Sequence, residues 1–416
     1  MKIIVLGAGV AGVTTAYMLA KRGHSVTVID RQPEPGRECS FANGAQISYS
    51  HAEPWANPHA IKKALQWILR DDAPLLFHFR LDPAMWGWAA RFLKRCNWKD
   101  SNEGTIHTLR LGLYSRLEMH KLVEESGIEF HYQKRGIVHI FTRENDMPHA
   151  YRQADFQVPY GSPYEKLTRD ECVALEPSLK PQSGRICGGM RYTLDETGDI
   201  FAYCKELAKK AATLGVIFKY DEPVTALKRD GDQIRAVVTS AGTYEPDAVV
   251  MALGAYSQPL LRTVGIKLPI YPMKGYSISV TIDDPEKAPI ASVTNQMEKQ
   301  VYTRIGNILR VAGTAEFAGY NHDINPVRTR LLKESTKFWF AGCGDVDAAT
   351  EWACLRPQSP DGCAVLGKTP YRNLWLNTGQ GTLGWTLCAG SAKAVCDLLE
   401  GKTPEVDLTG LTIDRF

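Results

Sequence analysis

The first thirty residues alternate between short apolar runs and a helical repeat. "IIVL" predicts a buried strand from Ile3 to Leu6, and "SVTVID" predicts a second strand that finishes on Asp30. Between them, the stretch from Val10 to Lys21 has helical spacing, and Gly23 ends it. We therefore expect a strand–loop–helix–strand unit at this end of the chain.

Two later apolar runs also end in glycines. "DAVVMALGAYS" (247–257) predicts one strand, and Leu374 to Leu376 predict another. A loop with Gly379, Gly381 and Gly384 follows the second strand, and a helix is predicted from about Trp385 to Leu399.

The segments between these runs predict a second layer of structure. Residues 60–125 have helical patterns in "AIKKALQWILR", "PAMWGWAARFLKRC" and "LGLYSRLEMHKLVEESG". "RGIVHIFT" predicts a strand, and residues 266–350 predict a run of strands followed by a helix near "NPVRTRLLKESTKFWF". A mixed or antiparallel sheet covered by helices fits this order of elements.

The first loop carries the glycine spacing of a dinucleotide-binding turn. Gly7, Gly9 and Gly12 fit G-x-G-x-x-G, which serves a tight turn, a close approach to pyrophosphate and close helix–strand packing. The loop as a whole, with Ala8, Val10 and Ala11, would place phosphates at the helix N-terminus. Asp30 stands where a carboxylate receives ribose hydroxyls. The alternative is a glycine-rich turn without a ligand.

The spread of the glycine loops favours FAD over NAD. An NAD domain would continue as alternating strands and helices, but the pattern breaks after Asp30 into "RQPEPGRECSFANGAQISYSHAEPWANP". A second helix N-terminus near the flavin would stabilise negative charge on the reduced ring. We predict an α/β protein with a discontinuous Rossmann-like FAD domain (1–60, 165–265 and 352–416) and a substrate domain (61–164 and 266–351).

Composition and charge narrow the class of protein. The chain has 416 residues with 49 basic and 46 acidic side chains, a net charge of +3, which gives no basic stripe for nucleic acid. Its ten cysteines are scattered, with no metal-ligand spacing, so we predict a reduced, cytoplasmic protein and no metal site. No signal peptide or spanning segment is expected; the chain is soluble or lies peripherally on the inner membrane.

A basic and aromatic helical region raises the question of membrane contact. Trp67, Trp86, Trp88 and Phe92 stand among lysines and arginines. Such a surface can dock on a membrane interface. We favour the alternative, in which two helices pack their aromatic rings on the sheet.

One apolar run ends in an arginine. "EWACLRPQSPDG" (351–362) predicts a buried strand with Arg356 just before a proline. Arginine is rarely buried unless it is paired, so we expect an anionic partner at this point, either a ligand or a protein carboxylate.

The ordered blocks resemble a known family. "SFANGAQIS", "DETGD", "YPMKGYS", "LRPQSPDG" and "NLWLNTGQGTLGWT" are similar to bacterial D-amino acid dehydrogenases of the small-subunit type, which are related to D-amino acid, glycine and sarcosine oxidases. The resemblance implies non-covalent FAD and a carboxylate-binding role for Arg356. It makes Tyr276 and, with a departure from the dehydrogenase pattern, Tyr302 candidates for a hydroxyl on the same carboxylate or for a wall of the pocket; the alternative is that both are buried strand residues. Lys274 would lie near the flavin or point to water.

The resemblance also implies further cofactor contacts. These are Arg31, Ser40, Asn43, Gly44, Ala45, Gln46, Ile47, Val224, Ala252, Gly254, Gln380, Thr382 and Leu383. Gln380 departs from the histidine expected in relatives. It can donate a hydrogen bond but carries no charge.

The implied reaction is oxidative deamination of a D-amino acid to a 2-oxo acid and ammonia. Hydride would pass from Cα to flavin N5, and electrons would leave to a quinone or another acceptor. His51 is interpreted as a polar surface residue rather than a base. Three alternatives stay open: an oxygen-using glycine or sarcosine type of oxidase, covalent flavin attachment through Cys354, and a flavoprotein that binds a partner or signal.

Overall fold

The computed structural model describes residues 1–61, 73–78 and 80–416. Within these ranges the fold has two main β-sheets with helices packed on their faces. This confirms the predicted α/β class, with a Rossmann-like parallel sheet and a separate mixed sheet. The predicted helix at 60–70, with Trp67, lies almost entirely outside the described residues.

The first main sheet is largely parallel and contains the glycine-ended strands. Its described strands, in spatial order, are Val365–Lys368, Leu374–Thr378, Ala248–Met251, Lys2–Leu6, Ser25–Ile29 and Ile217–Lys219. Segments far apart in sequence therefore form one sheet, as the discontinuous pattern predicts. We call this the parallel sheet.

Helices cover one face of the parallel sheet, and a small antiparallel sheet covers the other. The helical face carries Val10–Lys21, Trp98–Ser126, Ile200–Thr213 and Gly384–Leu399, whose apolar side chains form one core with the sheet. The opposite face packs against the antiparallel strands Val224–Asp230 and Gln233–Thr239 and against the helix Ser257–Arg262. The strand Thr243–Tyr244 pairs with Gln233–Thr239.

The second main sheet is mixed, and we call it the large sheet. Its described strands, in order, are Thr350–Gln358, Tyr271–Thr281, Ile308–Phe317, Gln300–Ile305, Ser292–Asn295, Ile137–Phe141, Gly188–Tyr192 and Tyr164–Leu167, with Leu75–Phe77 paired to Ile308–Phe317. The helices Pro83–Arg95, Met147–Gln157, Arg169–Leu175 and Pro326–Trp339 pack around it.

Sheet membership does not follow the predicted domain boundaries. Strands Tyr164–Leu167 and Gly188–Tyr192 lie in the large sheet, although residues 165–265 were assigned to the cofactor domain. Thr350–Gln358 also lies there, while the helix Trp98–Ser126 packs on the parallel-sheet side. The domain division itself stays a prediction.

The aromatic residues of the helix Pro83–Arg95 divide between its two faces. Trp88 is 5% exposed, stacks on Phe92 and packs against Phe317 of the large sheet. This agrees with the interpretation that the helices pack their aromatic rings on the sheet. Trp86 and Leu93 are about half exposed, at 49% and 54%. No helix in the described ranges is both long enough and apolar enough to cross a bilayer.

Candidate active site

The first glycine loop is held by its own backbone and by Asp30. Gly7 has a φ of +105°, and a Cβ on Gly12 would lie 1.8 Å from the Gly7 carbonyl oxygen. The buried Asp30 carboxylate accepts hydrogen bonds from the Ala8 amide at 2.6 Å and the Gln32 amide at 2.8 Å. Burial raises the pKa of Asp30. The turn is therefore fixed before any ligand binds.

A cavity of about 400 Å³ opens in front of this loop. It extends from the end of the parallel sheet to the edge of the large sheet. The predicted cofactor residues that line it are Gly7, Gly9, Val10, Ala11, Asp30, Arg31, Ser40, Asn43, Val224, Ala252, Gly254, Gln380, Gly381, Thr382 and Gly384. Residues from the start, middle and end of the chain thus meet at one cavity.

The remaining predicted cofactor residues are not among the described residues that line the cavity. These are Ala8, Gly12, Gly44, Ala45, Gln46, Ile47, Gly379 and Leu383. The Gln46 amide nitrogen donates to Ser292 and Thr294 of the large sheet. Thr303 donates to the Gly44 carbonyl oxygen. This segment anchors the loop to the large sheet.

The second helix N-terminus at the cavity belongs to Gly384–Leu399. No side chain of the described residues caps this N-terminus. Unpaired amides and the helix dipole favour negative charge there. Gln380 is 5% exposed, and its amide nitrogen donates to Asn377 at 2.6 Å, so one of its two N–H donors is already used.

Arg356 lies at the large-sheet end of the cavity. It sits on strand Thr350–Gln358, next to Tyr271–Thr281, and its guanidinium covers Gly275 so closely that a Cβ there would lie 2.4 Å from Nη2. Among the described residues, no hydrogen bond or ion pair engages this guanidinium. The alternative of an internal ion pair is thus not observed within the described ranges, where the guanidinium borders the cavity without a protein partner.

Tyr276 borders the cavity, but its hydroxyl does not point into it. Side chains alternate along a strand, and Gly275 takes the cavity face. The Tyr276 hydroxyl donates to Glu316, and its ring packs in the core beneath the helix Pro326–Trp339. Lys274 lies on the same reverse face, 2% exposed, with its ammonium 3.7 Å from Glu316.

Tyr302 lies on the reverse face of the large sheet as well. It is 1% exposed and stands outside the described lining of the cavity. Its hydroxyl donates to Gln300 at 2.8 Å and contacts Ser335 at 2.5 Å, and its ring packs on Phe340. In this arrangement of strands both tyrosine hydroxyls bond to protein groups, and a substrate role for either tyrosine stays a prediction.

Two side chains that hold the loop at Ala42 and Asn43 were not predicted from the sequence. Ser277 donates to the Ala42 carbonyl oxygen at 2.5 Å, and Arg310 donates to the Asn43 carbonyl oxygen at 3.1 Å. Arg310 is 8% exposed, and burial lowers its pKa to about 10. Both side chains follow the period of two along their strands, but nothing local in the sequence identifies their acceptors.

Two acidic residues of the "DETGD" block also hold the segment after this loop. Asp195 is fully buried and accepts hydrogen bonds from the Ser50 amide at 3.0 Å and the Ser50 hydroxyl at 2.5 Å. Glu196 accepts from Tyr49 at 3.0 Å, and His120 Nε2 lies 2.6 Å from its carboxylate. Burial raises the pKa of Asp195 to about 7.

This raised pKa predicts a pH dependence of stability. In the folded state Asp195 keeps its proton up to about pH 7, whereas the unfolded chain releases it near pH 4. The contribution of Asp195 to the free energy of unfolding therefore falls as the pH rises from about 4 to 7. In Asp195→Asn, the free energy of unfolding relative to wild type should rise by roughly 2–3 kcal/mol between pH 5 and pH 8. Urea unfolding at several pH values measures this.

The matched control for this comparison is Asp170→Asn, whose side chain is 84% exposed. Its free energy of unfolding should follow that of the wild type at every pH. Parallel pH curves for Asp195→Asn and wild type would contradict the assigned protonation of Asp195.

Two thiols lie beside Arg356 in the cavity wall. Cys354 is 5% exposed, and the Cys39 thiol donates to the Leu355 carbonyl oxygen at 2.9 Å. All ten cysteines are free thiols. His51 is exposed in the described structure, which fits its interpretation as a polar surface residue.

The lining of the cavity fits FAD. Packing within the protein does not require glycine at position 9, because a Cβ there would meet only the Ser40 hydroxyl, at 3.6 Å. The absence of a side chain at Gly9 instead leaves room for an occupant close to the backbone. A carboxylate at one end, two helix N-termini and an apolar wall between them match the ribose, pyrophosphate and ring system of a flavin dinucleotide.

Comparisons with known proteins agree with this lining. Residues 2–398 match the model of a family described as FAD dependent oxidoreductase. The D-amino acid dehydrogenase of Paramagnetospirillum magneticum is 46% identical over 417 residues, covering 100% of this chain and 99% of that protein. The D-amino acid dehydrogenase of Sinorhizobium medicae is 43% identical and covers 100% of both.

Solved structures are similar in fold. Glycine oxidase from Geobacillus kaustophilus superposes with a TM-score of 0.77 at 23% identity, covering 100% of this chain and 98% of that chain. L-proline dehydrogenase from P. horikoshii gives 0.75 at 19% identity, covering 100% and 97%. At these identities the likeness concerns the fold.

Proposed function

Because the chain belongs to the D-amino acid dehydrogenases of the FAD dependent oxidoreductase family, we propose that it oxidises D-amino acids to 2-oxo acids and ammonia. The observation that carries this proposal is Arg356, a cation with no described protein partner at the inner end of the cofactor cavity. The electrons would pass to a quinone or a similar small acceptor.

Arg356 would bind the substrate carboxylate. Its planar fork can donate two parallel hydrogen bonds to one carboxylate. Gly275 allows the guanidinium to lie flat against the neighbouring strand, since any Cβ would collide with it. This packing fixes the direction of the fork and therefore the position of the substrate Cα. Amines that lack a carboxylate would bind weakly.

The chain would hold FAD through backbone groups and Asp30. The amides at the start of helix Val10–Lys21 would receive the phosphates, and Asp30 would receive ribose hydroxyls. The amides at the start of helix Gly384–Leu399 would stabilise negative charge at the other end of the cavity. Bound FAD supplies the acceptor for the hydride that leaves the substrate Cα.

The wall near Arg356 supplies positioning rather than a base. Gly275, Cys354, Leu355 and Pro357 line the cavity next to Arg356 on the two paired strands, and none of these four carries a carboxylate or an imidazole. The neighbouring Cys354 thiol, together with burial, raises the pKa of the nearby Cys39 thiol. The substrate amine must therefore enter the reaction as the free base, and catalysis rests on orientation in a low-dielectric site.

Anaerobic absorbance spectra of the holoprotein test this proposal. D-alanine and other D-amino acids should bleach the flavin band completely, whereas the L-enantiomers and ethylamine, which has no carboxylate, should leave it unchanged. Bleaching by no amino acid, or only by L-amino acids, would overturn the proposal. Steady turnover in air at the full rate without an added acceptor would assign the chain to the oxygen-using oxidases instead.

A further inference from the structure

A second cavity of about 330 Å³ adjoins the cofactor cavity. The two cavities share five lining residues, Arg31, Glu38, Tyr256, Trp352 and Cys354. The same side chains therefore form part of the wall of both cavities. Arg37 and His322, which also line the second cavity, are exposed, so this cavity opens to solvent.

Three further residues give the second cavity hydrogen-bond donors. Gln32, Arg37 and His322 line this cavity and are not among the residues that line the first. The Arg37 side chain is 41% exposed and forms an ion pair with Glu34 at 2.5 Å. His322 is exposed, and its Nε2 lies 2.5 Å from the Tyr256 hydroxyl.

Aromatic rings form the walls between these donors. Trp352 is partly exposed and packs against Phe41, with ring centroids 6.2 Å apart. The Tyr256 ring stacks parallel to His322 and is covered on one side by the Arg31 guanidinium at 3.9 Å. A planar ring with oxygen substituents can stack on such a wall while its oxygens accept hydrogen bonds.

The charges of this cavity are balanced within the protein. Arg31 is paired with Glu38 at 2.5 Å, and Arg37 is paired with Glu34. A strongly anionic ligand would therefore have to break existing ion pairs. A neutral planar molecule with carbonyl oxygens can use the outward N–H groups of the same arginines without breaking them.

We propose that the second cavity is the docking site of the electron acceptor, a neutral quinone-type ring. This inference rests on the proposed oxidation of D-amino acids. In the step, the docked quinone takes two electrons and two protons from the reduced cofactor, leaves as the hydroquinone, and returns the cofactor to its oxidised form. Gln32, Arg37 and His322 line the second cavity and not the first, so the acceptor would not have to enter through the substrate end at Arg356.

Rapid mixing of the reduced holoprotein with a water-soluble benzoquinone tests the site. In Arg37→Met, the second-order rate constant for reoxidation should fall about tenfold, the loss expected for one hydrogen bond to a carbonyl oxygen. Flavin reduction by D-alanine should keep its wild-type rate, because Arg37 does not line the cofactor cavity. The matched control, Arg330→Met, removes an arginine that is 65% exposed on helix Pro326–Trp339 and should change neither rate.

Calorimetry gives a readout that is independent of turnover. A redox-inactive dimethoxybenzene should bind the oxidised holoprotein, and its dissociation constant should rise about tenfold in Trp352→Leu, since stacking on one aromatic ring is lost. The FAD content of this variant is measured in the same samples, so a loss of cofactor is recognised.

The outcomes separate this inference from the proposed function. Reoxidation and ligand binding unchanged in Arg37→Met and Trp352→Leu overturn the acceptor site, whatever the substrate. If no D-amino acid reduces the flavin, the proposed function fails, but chemical reduction with dithionite still allows the reoxidation rates to be compared.

Discussion

Replacing Arg356 with leucine is expected to cost roughly 2–5 kcal/mol of transition-state binding, expressed mainly as a steep rise in KM for D-amino acids. The guanidinium faces the cavity without a described protein partner, and its position over Gly275 leaves it one orientation. Removing it leaves the substrate carboxylate unpaired in a partly buried site. Steady-state kinetics with an artificial acceptor measure the change in kcat/KM.

Two comparisons give this experiment its controls. Arg356→Lys keeps the positive charge but lacks the two parallel N–H donors of a guanidinium. Its kcat/KM should therefore lie between those of Arg356→Leu and the wild type. Arg372→Leu removes an arginine that is 62% exposed and should behave as wild type. A near-normal kcat/KM in Arg356→Leu with full FAD content would mean that Arg356 has a structural role.

Replacing Gly12 with alanine is expected to give a protein that retains little or no FAD. The added Cβ would lie 1.8 Å from the Gly7 carbonyl oxygen, and a backbone atom cannot move away without opening the loop. The turn that presents amides to the pyrophosphate would then be lost. The ratio of flavin to protein absorbance after purification measures the effect.

A second variant keeps this test informative if Gly12→Ala fails to fold. A Cβ on Gly9 meets only the Ser40 hydroxyl, so Gly9→Val should fold and place its methyl groups in the cavity. It should therefore be colourless with normal secondary structure by circular dichroism. Gly184→Ala, where a Cβ meets nothing within 4 Å, is the control and should stay yellow. Full FAD content in both loop variants would contradict the assigned cofactor site.

The first helix, the glycine loop and Arg356 could be predicted because each depends on residues that are close together in the sequence. The helix Val10–Lys21, predicted from its spacing, has those bounds in the structure. The glycines at positions 7 and 12 have backbone constraints that only glycine meets. Arg356 stood out because a charge at the end of an apolar run requires a partner.

The direction of the Tyr276 hydroxyl could not be predicted, because the sequence of a fully buried strand does not show which of its faces borders the cavity. Tyr271–Val280 is buried at almost every position, so no alternation of polar and apolar residues marks the cavity face. The pairing of Gly275 with Cys354, which decides that face, joins residues far apart in sequence. The same long-range pairing puts Gly188–Tyr192 in the large sheet.

The role of Asp195 could not be predicted for a similar reason. Its partner Ser50 lies 145 positions earlier in the chain, and the two meet only when strand Gln46–Ile47 pairs with Glu196–Thr197. A block of acidic residues in a sequence is usually solvated, whereas the fold buries this carboxylate completely.

The central claim is that Arg356 holds the carboxylate of the substrate at the inner end of the FAD cavity. The most direct measurement is a crystal structure of the oxidised holoprotein with a bound 2-oxo acid. If Arg356 binds the substrate carboxylate, both carboxylate oxygens should lie roughly 2.7–2.9 Å from its guanidinium nitrogens. A 2-oxo acid whose carboxylate binds elsewhere, with Arg356 paired to a protein acid, would contradict it.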